Sequence, residues 1–407
     1  MKLSNTVNAL QTLLSGSLLI LAMVSAPLVT AAPAQPSFYT PDIEQTLETV
    51  FSALREQRLI DAGDAAETLA MQHPDFLLGQ LLHAELQTVR AAQTTLLASD
   101  RPFSPRLLDL LLEAQVRVQE SHHGVNESQV PTNLLQLGSD IKHVVAVDLE
   151  QSRLYLINNQ HDGPRLINQH YAGSGRGGYG KLVEGDLRTP TGIYRVTQFR
   201  SGESLPDLYG SGALTLDYPN PVDRLQQRTG SGIWLHGVPS ENLSRAPRSS
   251  EGCVVMPNDM LTLLQQMVEP ANTLVMLSGH LDWTAAPDAR PNKQPFLKLF
   301  ERYRDAWSQQ DQESLSRLHT DALYASAVAP RFGLDDDYPQ TLAGINPADI
   351  TVLRYPEFPN RQDQERIMMR FTLPATDQDH RLITLFWEQH AQNGWQIVHV
   401  GEELGPA

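Results

Sequence analysis

Residues Ile233 to Met256 read IWLHGVPSENLSRAPRSSEGCVVM, and the organisation of the whole chain follows from that stretch. It holds the only cysteine of the protein, Cys253, and an upstream histidine, His236; Gly252 and Gly237 adjoin them. A thiolate is the attacking form of cysteine, and a nearby imidazole is a common means of generating one near neutral pH. Seventeen positions of chain are too many for the two to meet within one element (253 − 236 = 17). An apolar run, GIWL, leads into His236, and a second, VVM, follows Cys253. The pattern predicts two neighbouring strands joined by a polar loop over 239–250, with the reactive side chains brought together across them.

Working outward, His236-Gly237 and then Ser250-Glu251-Gly252-Cys253-Val254-Val255-Met256 resemble the HG…SxGCxRM signature of the L,D-transpeptidase catalytic domain family. Upstream, Gly185-Asp186-Leu187-Arg188-Thr189-Pro190-Thr191-Gly192 resembles the TPxG element of the same domain. The resemblance spans roughly residues 142–277 and departs at two places. Val255 stands where the family has arginine, and Glu251 where SHGC has histidine. The resemblance implies a mainly β, sandwich-like fold with a cleft. It further implies Cys253 as nucleophile, His236 as base and acid, and the Gly237 carbonyl as the group that fixes the imidazole tautomer.

Glycine at 237 admits a close backbone approach, and Gly252 lets the chain turn tightly into the cysteine. Backbone N–H groups around Gly252 and Cys253 are natural oxyanion donors. Ser250 is a candidate for bonding within the loop or orienting substrate, and equally a turn residue. Trp234 is a candidate substrate contact, and Arg245 and Arg248 are placed to offset the missing arginine. For such a site the resemblance implies attack on the peptidoglycan stem tetrapeptide at the L-centre of its diamino acid. An amine then resolves the acyl-enzyme to a crosslink, or water resolves it to a tripeptide. No cofactor or metal is expected.

The chain has 407 residues, which sets a prior of two or three domains. With 47 acidic against 31 basic side chains its formal charge is -16, a surface unsuited to nucleic acid, whose phosphates it would repel. Lys2, an apolar run over 13–24 and the small residues Thr30-Ala31-Ala32-Pro33-Ala34 read as an export signal over 1–34, with an uncleaved anchor as the alternative. That places the mature protein in the periplasm or cell envelope. A lone cysteine there forms no internal disulfide, so the thiol is expected to serve chemistry.

The expected fold is multidomain α+β. A helical domain over 35–135 follows from apolar spacing such as Leu47, Val50, Phe51 and Leu54, with His73-Pro74 as a break and another helix over 107–118. Residues 121–133, with His122-His123, read as a polar linker. A mainly β L,D-transpeptidase-like domain follows over 140–280, with a helix from Asn258 to Val268. Inside it Gly175 to Lys181 matches G-x-x-x-x-G-K, but Leu182 occupies the Ser/Thr position, so a glycine-rich loop near the cleft is expected instead of a nucleotide cradle. A Pro-rich linker is expected over 281–295. Two helices, then strands over 366–373, 381–389 and 395–400, make 296–407 resemble the nuclear-transport-factor-2-like α+β cone, an accessory domain for association or wall docking.

Peptidoglycan stem peptides are the expected partner, with homodimerisation through the helical or C-terminal domain a further expectation. The whole also resembles the cell-shape L,D-carboxypeptidases, which hydrolyse instead of crosslinking. Transpeptidase, carboxypeptidase, a lipoprotein-releasing branch of the same chemistry and a silent wall scaffold therefore stay open.

Overall fold

The computed structural model describes residues 41–56, 58–90, 113, 116, 125–242, 245–286, 291–328, 337–356, 365–373 and 381–404. The expected export signal and His122-His123 lie outside these residues, as does the 107–118 helix apart from Glu113 and Val116, which are helical. The chain forms two units, Met1–Gly124 with Val238–Pro247, and Val125–Gly237 with Arg248–Ala407.

Among its described residues the first unit has helices α1 (Pro41–Arg55), α2 (Leu59–Gln72) and α3 (Leu77–Arg90). Ile43, Leu47 and Val50 recur at helical spacing on α1 and are buried, as are Leu69 on α2 and Leu78 and Leu86 on α3. Small buried residues on α2, Ala62, Gly63, Ala66 and Ala70, leave room for close packing. At the end of α2, His73 adopts φ -127° and ψ 74°, the departure from helix that a following proline imposes.

The second unit begins with two short strands, β1 (Gln129–Pro131) and β2 (Leu134–Gln136). Strands β3 (His143–Asp148), β4 (Arg153–Gln160), β5 (Gly163–Tyr171), β6 (Ser174–Gly175), β7 (Gly192–Ser201) and β8 (Gly212–Leu216) follow. After helix α4 (Pro221–Leu225) come β9 (Trp234–His236), β10 (Arg248–Ser250), β11 (Val254–Val255), helix α5 (Asn258–Met267), β12 (Leu274–Ser278) and β13 (Trp283–Ala285). The remainder comprises helices α6 (Gln294–Ser308), α7 (Gln312–Leu318) and α8 (Asp337–Ala343), then β14 (Thr351–Arg354), β15 (Arg366–Leu373), β16 (Arg381–His390) and β17 (Gly394–Leu404).

An eight-stranded sheet runs β11-β9-β8-β7-β12-β3-β4-β5, and a five-stranded sheet runs β17-β16-β15-β14-β2. Continuous apolar runs such as VVAV in β3 and LVML in β12 mark strands buried on both faces. Successive side chains alternate between faces, so each strand feeds two cores. Val145, Val147, Leu154, Leu156, Val275 and Leu277 pack in one core with Met260, Leu261 and Leu264 of α5. The intervening residues Val144, Ala146, Tyr155, Ile157, Leu274 and Met276 enter a second core that also holds Leu353, Tyr355, Met368 and Phe386. The other face of the five-stranded sheet, with Met369, Phe371, Leu385 and Trp387, packs on Phe300, Tyr303 and Trp307 of α6 in a third. The layers therefore succeed one another as helix, sheet, sheet and helix.

The multidomain α+β expectation describes this chain, but two stretches expected as linkers contain strands. β1 pairs antiparallel with β13, joining the first linker to the second. β2 pairs with β14, with Val352 opposite Gln136, so residues just before the central region complete the C-terminal sheet. Three-residue strands are too short to show a period of two, and Pro131 counts against strand in the sequence. Residues 125–135 accordingly lie with the sheets and not with the helices. β14 and β5 are also unforeseen, whereas β15 matches the expected 366–373 end to end.

His319 is fully buried behind Tyr303, with Nδ1 2.7 Å from the Leu315 carbonyl and Nε2 without a hydrogen-bond partner among the described residues. Burial pushes its pKa down from 6.5 to about 4, against the smaller upward pull of the Leu315 bond. The fold thus accommodates the neutral ring. Its contribution is full above pH 6.5 and is lost as pH falls through about 4, an effect of about 3 kcal/mol. Urea unfolding of wild type and His319→Gln at pH 7 and pH 4 is expected to show the difference between them shrink or reverse at the lower pH. A second expectation concerns the shared core: Phe386→Ala should cost about 3–5 kcal/mol and lower the stability of both sheets in one transition, read by urea unfolding with probes in each.

Candidate functional site

β9 and β11 are adjacent and parallel, with Val254 opposite Leu235 and Val255 opposite His236. Leu235 and Val254 point into the α5 core, which sends Trp234, His236 and Val255 to the other face. Cys253, two residues before Val255, falls on the His236 side by the same alternation. The expected pair of neighbouring strands is therefore present, with Cys253 directly preceding the one and His236 ending the other.

His236 is 3% exposed, and its Nδ1 lies 2.7 Å from the Gly237 carbonyl. A carbonyl can only accept, which assigns the proton to Nδ1 and leaves Nε2 of the neutral ring as the basic atom. Cys253 is half-buried, and its Sγ donates to the Gly232 carbonyl at 3.4 Å. A Cβ on Gly237 would lie 2.0 Å from Asn258 Oδ1, which accepts the Ser211 N–H at 2.9 Å. Glycine at 237 is thus required by packing as well as by backbone approach.

The turn into Cys253 is braced by Ser250, whose Oγ accepts the Gly252 N–H at 3.1 Å and donates to the Cys253 carbonyl at 2.6 Å. Gly252 has φ +134°, and a Cβ there would approach the Arg188 carbonyl to 2.9 Å. Here the structure corrects one expectation: the Gly252 N–H is committed to Ser250 and is no ready oxyanion donor. Ser250 itself is a loop brace.

The glycine-rich run flanks the other side of β11. Gly173 exchanges both backbone hydrogen bonds with Val255, at 2.7 and 2.9 Å, and β6 runs parallel to β10. Lys181, the cation of the phosphate-loop pattern, is buried and pairs with Asp186 at 2.7 Å. Burial would raise the Asp186 pKa, but Lys181 and the N–H groups of Leu182, Arg188 and Val183 outweigh it and hold the carboxyl at about 2. A lysine so engaged is a loop anchor and leaves no charge to meet a phosphate. Below the TPTG run, Asp223 and Arg228 form a buried pair at 3.1 Å, and Arg228 also donates to the Thr191 carbonyl at 3.2 Å. Burial, opposed by Arg228, pushes the Asp223 carboxyl up to about 6. Asn220 completes this support by donating to the Ile193 carbonyl and to the Tyr355 hydroxyl, each at 2.9 Å.

Three contacts to the site residues have no signal in the sequence. Tyr209, from a turn between β7 and β8, sets its ring edge against His236 with centroids 5.0 Å apart and lies 5.2 Å from the Trp234 ring. The Arg200 guanidinium stands over Trp234, 5.2 Å from its centroid. Asn258, at the start of α5, backs Gly237. The tertiary fold alone brings these against His236, Trp234 and Gly237 respectively. Of the other candidates, Arg248 is exposed on β10, and Arg245 belongs to the 238–247 segment of the helical unit. Val255 is buried, at 2% exposure. Among the described residues no group of three His, Cys, Asp or Glu side chains is arranged to hold a metal, and no helix is long and apolar enough to cross a membrane.

A sheet that pairs an HG strand with an SxGC strand defines a class of cysteine-bearing β domain. Residues 142–276 match the model of the L,D-transpeptidase catalytic domain (YkuD), and the chain carries a domain of that family. No curated protein matches the chain in sequence. Among solved structures, Bd1075 of Bdellovibrio bacteriovorus is similar at 24% identity and a TM-score of 0.52, over 69% of this chain and 99% of that one. The helical cell shape determining protein Pgp2 of Campylobacter jejuni aligns at 19% identity and a TM-score of 0.47, over 69% of this chain and 97% of that one.

Replacement of Gly237 by alanine forces Asn258 away and tilts the carbonyl that holds the imidazole. Gly237→Ala is expected to slow alkylation of Cys253 by iodoacetamide at pH 7 on the order of 100-fold and to lower the melting temperature. An unaltered rate would separate the Gly237 geometry from the reactivity of the thiol.

Proposed function

We propose that the protein is an exported peptidoglycan-modifying cysteine enzyme that acts on the stem tetrapeptide. Its chemistry is acyl transfer through a thioester on Cys253. The observation that carries this reading is the Nδ1–H of His236 held by the Gly237 carbonyl on the strand beside the cysteine. With Nδ1 so held, Nε2 is the ring atom that in this reading serves as the base for Cys253.

In this reading Nε2 takes the thiol proton, and the sulfur attacks the carbonyl carbon at the L-centre of the diamino acid. The C–N bond to the terminal D-alanine breaks, and the imidazolium returns its proton to the departing amine. An amine of a second stem then attacks the thioester, expelling the thiolate and forming a crosslink. The second reading, hydrolysis by water to a tripeptide, is favoured by Val255 and Glu251, both departures from the transpeptidase signature beside the nucleophile. The C-terminal sheet and helices, read as a nuclear-transport-factor-2-like lobe, would support the catalytic sheet through the core they share.

The test is incubation of the full mature chain with disaccharide-tetrapeptide and mass analysis of the products. Crosslinked dimers are expected for the transpeptidase, tripeptide alone for the carboxypeptidase, and neither from Cys253→Ala. No turnover by wild type, with a thiol that alkylates no faster than free cysteine, would leave a wall-binding scaffold in place of an enzyme.

A further inference from the structure

Arg176 occupies a position that neither the family signature nor the composition marks. Its backbone N–H donates to the Ser250 carbonyl at 2.8 Å, which ties it to the nucleophile loop. The flanking glycines fix that attachment: a Cβ on Gly175 would meet the Leu187 carbonyl at 2.3 Å, and one on Gly177 the Asp186 carbonyl at 2.6 Å. Gly177 also donates to Leu187 at 2.9 Å. The backbone at 176 is thus pinned between the nucleophile loop and the Asp186–Leu187 turn, while its side chain reaches solvent.

That side chain pairs with Glu251 at 3.0 Å, with 53% and 81% of the two side chains exposed. An ion pair so open to water contributes little to stability, because each partner is nearly as well solvated alone. Exchanging Glu251 for another carboxylate therefore costs the protein almost nothing. Arginine's planar fork suits a carboxylate, and a contact held on a rigid backbone loses less freedom on binding.

Position decides which carboxylate. β9, with His236, lies along one side of β11, and Gly173, leading into Arg176, lies along the other. The leaving amine must stand on the His236 side to receive its proton. The acyl portion of the substrate then extends towards Arg176. We propose that Arg176 binds a carboxylate on the acyl side of the donor peptide, and that Glu251 is the resting counter-ion it exchanges for that carboxylate. This inference rests on the reading of the protein as an acyl-transfer enzyme for stem peptides. It also assigns a cation at the nucleophile loop in a sequence that has valine at 255.

The test is calorimetric binding to full-length Cys253→Ala protein, so that no turnover is needed. The ligands are disaccharide-tetrapeptide, the same with its acyl-side carboxylates converted to carboxamides, and the same with only the terminal D-alanine carboxylate amidated. Adding Arg176→Gln is expected to weaken the unmodified ligand about three- to fivefold. The loss should be equal for the terminal amide and absent for the acyl-side amide. Glu251→Gln should bind the unmodified ligand as tightly as its parent or more so. Unchanged affinity in Arg176→Gln overturns the proposal, as does a loss that vanishes with the terminal amide. An equal loss in Glu251→Gln makes the pair a brace of the loop and overturns it too. If the Cys253→Ala parent binds none of the ligands, the stem-peptide reading itself falls, a result distinct from a binding parent with an indifferent Arg176.

Discussion

Two residue pairs of parallel strand, Leu235–Val254 and His236–Val255, hold the candidate chemistry together. Everything around them serves that short ladder. The core under α5 takes one face of it, the Gly237–Asn258 packing fixes the imidazole on the other, and the Ser250 bridge and Gly173 pairing hold the cysteine strand from its free edge. A ladder this short has few hydrogen bonds of its own, so its register depends on those neighbours.

The central strands of the eight-stranded sheet are buried on both sides by different parts of the chain, which explains their composition. Alternating polar residues would leave unsatisfied groups against the five-stranded sheet. The runs at 144–147 and 274–277 are apolar throughout. The C-terminal region is accordingly structural for the central one, whatever else it does. Leu353, Met368 and Phe386 contribute to the second core as directly as Val144 and Met276 do.

The strands that carry His236 and Cys253 were legible because chemistry and apolar patterning coincide there, and β15, β16 and β17 because their runs are long. β1, β2 and β13 were not, since three residues carry no period and their partners lie far along the chain. Within the site, His236, Gly237 and Cys253 could be read as a set. Tyr209 and Arg200 could not, because the tertiary fold alone puts them beside His236 and Trp234. The phosphate-loop pattern at Gly175–Lys181 shows the converse: a correct spacing whose lysine is neutralised by an aspartate five residues on. The Gly252 N–H was misread because a serine two positions earlier can accept it, and sequence does not say which way a hydroxyl turns.

One consequence of the topology concerns synthesis. Asn133, just before β2, donates to the carbonyl of Arg354, 221 residues later, so the edge of the second sheet leaves the ribosome long before the strand it must pair with. Closing a contact of that span is slow, and an edge strand left waiting is open to wrong partners.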